Sequence, residues 1–192
     1  MKTKEVIEEL EPFLRKQCSK RRYEHIQRVA QTCAKLAKQF GVKKADAQLV
    51  GLAHDMVREW TPKKLLKLAL SSGYKPRKAE EKQPMLLHGR CAALLLQRNF
   101  GVKNPSVLKA LEDHTFGRKG MDKLGILLYV SDYIEPERKY ISEKFRNKVM
   151  NLSPWEMVIA IHAHAEKRRK KMGPLTRQLH KYADDMLRKE GE

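Results

Sequence analysis

Apolar residues recur at helical spacing along nearly the whole chain, and glycine or proline interrupts the pattern about once per helix length. Over residues 23–40 the apolar positions are Ile26, Val29, Ala30, Cys33, Leu36, Ala37 and Phe40, stepping by three and one, and Gly41 supplies a stop. The same pattern predicts helices over about residues 45–58, over 62–70 with Thr61 as N-cap and Pro62 behind it, and over about 87–99 closed by Gly101. Another starts at Asn104-Pro105 and runs to about His114. Residues 121–134 are mainly apolar and predict a buried helix broken by Glu135-Pro136. Ser153-Pro154 and Gly173-Pro174 each precede a further amphipathic helix. Residues 74–84 and 115–120 read as loops. No stretch alternates as a strand does, and there is no internal repeat. The expectation is an all-α fold: a single helical bundle domain spanning 1–192, a length suited to one core, with C-terminal helices over about 142–190.

A formal net charge of +18 attracts polyanions, whether nucleic acid, nucleotide phosphates or an anionic membrane surface, and does not choose among them. The run Lys167-Arg168-Arg169-Lys170-Lys171 reads as the solvated end of a helix. Three cysteines form no C-x-x-C pair, and Cys33 and Cys91 sit in apolar patterns, as reduced core residues do. The N-terminus carries acidic residues where a signal peptide needs an apolar stretch, and no run is long enough to span a membrane. A cytoplasmic protein without membrane partners is expected.

The informative feature is the placement of ionisable residues. His25 shares a stripe with Val29 and Cys33, His54 follows Val50, and Asp55 follows Leu52. His88 lines up with Cys91, Ala92 and Leu95, His114 with Val107, Ala110 and Leu111, and Asp132 with Leu124 and Leu128. Six such groups on apolar faces each cost several kcal/mol when buried alone. One core histidine finds a backbone carbonyl easily, but six need six separate partners. A shared divalent metal satisfies them together through imidazole nitrogen and carboxylate oxygen. His162, His164 and His180 lie in a basic, polar region and read as surface residues.

The order His25, His54-Asp55, Asp132 resembles the HD superfamily of metal-dependent phosphohydrolases, and His88 and His114 match its two-metal subgroup. Arg22-Tyr23-Glu24-His25, Leu86-Leu87-His88-Gly89, His114-Thr115-Phe116-Gly117-Arg118 and Ser131-Asp132-Tyr133-Ile134-Glu135-Pro136 resemble the YqeK family of symmetrical diadenosine-tetraphosphate hydrolases. The likeness covers about residues 21–138. Phe116 stands where the family has a small polar residue, and Arg58 where it tends to have lysine.

The resemblance implies an HD-type domain in which His25, His54, Asp55 and Asp132 hold one metal, with Asp55 also bridging to a second held by His88 and His114. It marks Asp55 and His54 as the catalytic core. It implies two iron ions, and the nitrogen and oxygen donors equally suit manganese, cobalt or nickel. Arg22, Arg58, Thr115, Arg118 and Arg138 are the candidates for binding a nucleotide polyphosphate.

Two other readings stand beside this one. Another HD phosphohydrolase, acting on mononucleotides, triphosphates or signalling nucleotides, would need the same metal site. A nucleic-acid-binding protein with a vestigial pocket would explain the charge, but all six ligand types are present, with no helix-turn-helix pattern or stacking aromatics, so nucleic acid is not the expected partner.

Overall fold

The structure is a computed structural model that describes residues 2–168 and 171–190. Among the described residues there are helices and turns and no strands. The helices are α1 (Thr3–Gln17), α2 (Lys20–Leu36), α3 (Lys44–Ala53), α4 (Pro62–Leu70), α5 (Lys78–Lys82), α6 (His88–Phe100), α7 (Pro105–Asp113), α8 (Lys123–Tyr133), α9 (Glu143–Met150), α10 (Pro154–Lys167) and α11 (Pro174–Glu190). A short 3-10 turn, Pro84–Leu87, leads into α6.

Two helices organise the rest. α3 packs on α1, α2, α6, α7 and α8, and α8 packs on α2, α3, α7 and α10. α8 buries Leu124, Ile126, Leu127, Leu128 and Val130, which leaves it without a polar face, as a central helix requires. Asp122 caps it by accepting from the Gly125 N–H at 2.8 Å.

Two glycines set how closely the neighbours approach. A Cβ on Gly51 would lie 2.5 Å from the Ala30 Cα, so α2 and α3 touch backbone to backbone. A Cβ on Gly89 would lie 2.4 Å from the Leu111 carbonyl oxygen, which puts α6 equally close to α7.

The structure departs from expectation in three places. The helix expected over 45–58 stops at Ala53 and continues as tighter turns, with Arg58 N–H donating to the Asp55 carbonyl at 3.0 Å. Glu59 anchors that segment, accepting from the Ser19 N–H at 2.9 Å and the Ser19 hydroxyl at 2.8 Å at the start of α2. Inside the expected loop 74–84, α5 forms around Glu80. This buried carboxylate accepts from the Tyr74 hydroxyl and the Arg77 N–H at 2.7 Å, and from the Arg77 guanidinium at 2.8 Å.

The third departure corrects the reading of the C-terminal histidines. His162 is buried, with Nε2 3.0 Å from the Tyr129 hydroxyl and Nδ1 3.1 Å from His180 Nδ1. Burial, with the nearby His180, pushes its pKa down to about 4. His164 is half-buried, stacked on Phe145 with its Nδ1 3.0 Å from the Tyr133 hydroxyl, and His180 is half-buried too. His162 and His164 meet tyrosines on α8, far away in sequence, so polar neighbours along α10 and α11 gave no sign of them. Cys33 and Cys91 are buried and free, as expected. Of the basic run at 167–171, Arg169 and Lys170 lie outside the described residues. No described helix is long and apolar enough to cross a membrane.

Candidate metal centre

The close approach of α2 to α3 brings His25 beside His54, and that of α6 to α7 brings His88 beside His114. Three of these rings are committed through Nδ1 to a backbone carbonyl three residues earlier. His54 donates to Gly51 at 2.7 Å, His88 to Met85 at 2.6 Å and His114 to Leu111 at 2.8 Å. A carbonyl only accepts, so each neutral ring carries its proton on Nδ1 and presents a bare Nε2. Those bare nitrogens meet ring nitrogens of neighbouring histidines. His88 Nε2 lies 3.0 Å from His114 Nε2, and His54 Nε2 lies 3.3 Å from His25 Nε2.

Carboxylates complete the two groups. Asp55 Oδ1 is 3.2 Å from His88 Nε2 and 3.9 Å from His114 Nε2. Its other oxygen, Oδ2, is 3.7 Å from both His25 Nε2 and His54 Nε2. Asp132 Oδ1 joins the second group, 3.2 Å from His25 Nε2 and 3.9 Å from His54 Nε2. Ligand atoms of His25, His54 and Asp55, and those of Asp55, His88 and His114, each lie within 4.8 Å of one another. Acceptors converging on acceptors are stabilised by a cation, and imidazole nitrogen with carboxylate oxygen is the donor set of a divalent transition metal. The residues present therefore fit the metal expected from the sequence. Asp132 is half-buried rather than fully inside, and the other five are buried.

Electrostatics follow the same division. Burial pushes His54 down, and pushes His114 down to about 3 with help from His88 and His54. Asp55 and Asp132 are held below the usual carboxylate range. Burial alone would raise both, but the surrounding histidines outweigh it. His25 moves the other way. Burial would lower it, but hydrogen bonds with Asp132 and Glu135 on either side of its ring raise it.

One cleft is lined by a candidate ligand, His25, and a second lies beside the centre, approaching it through Thr115. A cleft of about 830 Å³ lies at the His25 end, lined by Arg22, Arg28, Arg138, Lys139 and Tyr140 among others. Arg22 pairs with Asp55 and Arg138 with Asp132. A cleft of about 450 Å³ at the His88 end is lined by Arg77, Arg90, Thr115 and Arg118. Thr115 Oγ1 is 3.4 Å from His88 Nε2, and Arg118 is braced on Asp113 at 2.5 Å. Arg58 lines neither cleft. Its guanidinium donates to the Met85 carbonyl at 3.3 Å, the group that also holds His88 Nδ1, so it buttresses the His88 ring from behind.

Sequence reasoning missed two residues here. Glu135 is buried, with Oε1 3.3 Å from His25 Nδ1. Arg28, one turn after His25, donates to Glu135 Oε2 at 2.9 Å, as does the Glu137 N–H. Burial raises the Glu135 carboxyl, but these hydrogen bonds bring it down to about 2. The available signal was an acidic residue immediately before the proline that ends α8. It reads as a helix breaker, and only the fold shows that it orients His25.

The HD domain family model matches residues 22–137. A Bacillus subtilis protein named "Bis(5'-nucleosyl)-tetraphosphatase, symmetrical" is 34% identical over 133 residues, 69% of this chain and 71% of its own length. A Staphylococcus aureus protein of the same name is 30% identical over 138 residues, 69% of this chain and 68% of its own. A crystal structure of a predicted HD superfamily hydrolase from Clostridium acetobutylicum superposes with a TM-score of 0.82 over 94% of this chain and 97% of its own, at 23% identity, and so shares the fold. With the matched segment running from Arg22 to Glu137 and so enclosing all six candidate ligands, this chain belongs to the HD domain family, in its YqeK-type branch.

Proposed function

We propose that this protein hydrolyses diadenosine tetraphosphate symmetrically, adding water across the central phosphoanhydride to yield two ADP. The observation that carries this reading is Asp55, one carboxylate whose two oxygens face two separate histidine pairs. That arrangement stands in a chain whose relatives are named for this reaction. His25, His54, Asp55 and Asp132 hold one divalent cation, and Asp55, His88 and His114 hold a second. Iron is the ion proposed, with manganese, cobalt or nickel compatible with the same donors. Bound there, the ions supply Lewis acidity and bring the pKa of water toward neutrality.

The chain's own residues supply position and charge. Arg22 and Arg138 stand at the mouth of the larger cleft, where a polyphosphate takes them over from Asp55 and Asp132. Thr115 and Arg118 grip the phosphates on the other side. Arg58 keeps His88 aimed inward. Gripping one side of the scissile bond sets which phosphorus lies in line for attack. The whole of 1–192 works as one HD-type domain, with residues 21–138 carrying the ligands and helices within 142–190 walling the site. Buried free thiols suit a reducing compartment, the cytoplasm.

Chromatography of products from the intact dinucleotide tests the proposal, and ADP is the sole nucleotide expected. ATP plus AMP would overturn the symmetric register. No turnover of the dinucleotide with brisk hydrolysis of a mononucleotide would assign the site to another HD phosphohydrolase.

A further inference from the structure

We infer that Phe116 forms one wall of a nucleobase subsite, so that a symmetric dinucleotide is held asymmetrically, by its base at one end and by its phosphates at the other. The inference rests on the nucleotide reading above. Phe116 is one of two large hydrophobic side chains left exposed among the described residues, and it follows Thr115 directly. The turn that carries it is clamped. Its carbonyl accepts from the Thr176 hydroxyl at 2.9 Å, and the Gly117 N–H donates to the Asp113 carbonyl at 2.8 Å. Gly117 has φ +65°, and a Cβ there would lie 2.3 Å from Leu179, so the turn is seated on α11.

The ring faces a groove of about 410 Å³ whose other apolar walls are Ala79, Leu86, Pro174 and Leu175. Leu86, Phe116 and Leu175 also line the cleft that holds Thr115, Arg90 and Arg118, so groove and cleft are continuous. The Thr115 hydroxyl, 3.4 Å from His88 Nε2, lines the same cleft as the Arg77, Arg90 and Arg118 side chains, and that cleft shares Leu86, Phe116 and Leu175 with the apolar groove. Arg90 is held in place, over the Tyr74 ring at 3.9 Å and 3.1 Å from Glu112. That combination of a hydrogen-bond donor, cations and an apolar wall matches phosphate together with a purine ring, which stacks on an aromatic side chain whatever its edge. The cleft at the His25 end is lined chiefly by charged side chains of both signs, with Tyr140 its one aromatic wall and no apolar side chain beside it.

Inhibition by ADP and by inorganic pyrophosphate, each measured on unchelated protein and its variants, tests the inference. Loss of one stacked base weakens binding about tenfold. Phe116→Ala and Leu175→Ala should each raise the ADP inhibition constant, and KM for the dinucleotide, by about that factor. Both should leave pyrophosphate inhibition and kcat unchanged, and Phe116→Tyr should restore ADP binding. Equal weakening for ADP and pyrophosphate would overturn the inference, because Phe116 would then only brace the turn. Unchanged inhibition by both would also overturn it, and a shift in sedimentation would then mark the groove as a contact between copies. Failure of the symmetric-cleavage proposal is read separately from the product pattern of the wild-type chain.

Discussion

The Nε2 atoms of His88 and His114 face each other at 3.0 Å while the Nδ1 of each ring donates to a carbonyl three residues back. Two hydrogen-bond acceptors at that distance repel unless a cation lies within reach of both. Purified, unchelated protein should therefore contain transition metal, up to two ions per chain by elemental analysis. His88→Ala should lose the ion on its side and keep the other. Asp55→Ala should lose both, and activity should fall on the order of 100-fold or more. Undiminished metal content in Asp55→Ala would show that the carboxylate is not shared.

Glu135 touches His25 through Nδ1, the nitrogen that faces away from the cluster. Glu135→Gln keeps the shape and removes the charge. Apparent metal affinity should fall about 10- to 100-fold while helicity is retained. Titration with a competing chelator reads the first and circular dichroism the second.

Gly89 is the spacer that α6 and α7 do not have. Gly89→Ala pushes a methyl group into the Leu111 carbonyl and the His114 ring, a backbone clash that no rotamer change relieves. A destabilisation of about 1–3 kcal/mol is expected, with loss of metal at the His88 and His114 pair before the other. Urea unfolding together with metal analysis would show whether both effects travel together.

Much of this was legible beforehand because it depends on local pattern. Thr61-Pro62, Asn104-Pro105 and the mainly apolar stretch before Glu135 each declare a helix boundary without help from the rest of the chain. The six candidate ligands stood out because each breaks an apolar stripe. What stayed hidden depends on partners distant in sequence. Nothing near Glu135 points to His25, nothing near His162 points to Tyr129, and nothing near Arg58 points to the Met85 carbonyl it donates to. The C-terminal end of α3 was placed too far along because Glu59 is tied to Ser19, a tertiary contact that outweighs helix propensity.

His162 gives a pH signature outside the metal centre. Its pKa is about 4 in the folded chain against an ordinary value of 6.5, so between those values the unfolded chain binds more protons. Stability is then complete above about pH 6.5 and falls as pH drops toward 4. The contribution is on the order of 3 kcal/mol, and it should vanish from the pH profile of His162→Phe. Parallel profiles for wild type and variant in urea unfolding at matched metal content would refute this.

The charge of +18 should show in kinetics. If the field serves a polyphosphate, KM rises with salt while kcat changes less. Duplex DNA that binds with a steep salt slope and inhibits competitively would instead assign the field to nucleic acid.

α8 is buried along its middle, packed on α2, α3, α7 and α10, and carries the half-buried Asp132 in its last turn, so one candidate ligand is held by a central helix. A helix so placed has nowhere to swing. The centre is thus a chassis rather than a moving part: it has no hinge of its own and survives only with the fold intact. The walls around it are different. α5, the turn at Phe116 and the start of α11 lie at the periphery, where exchanging a side chain disturbs little packing. Changes in what this protein accepts can therefore accumulate one wall residue at a time while the chemistry underneath stays untouched.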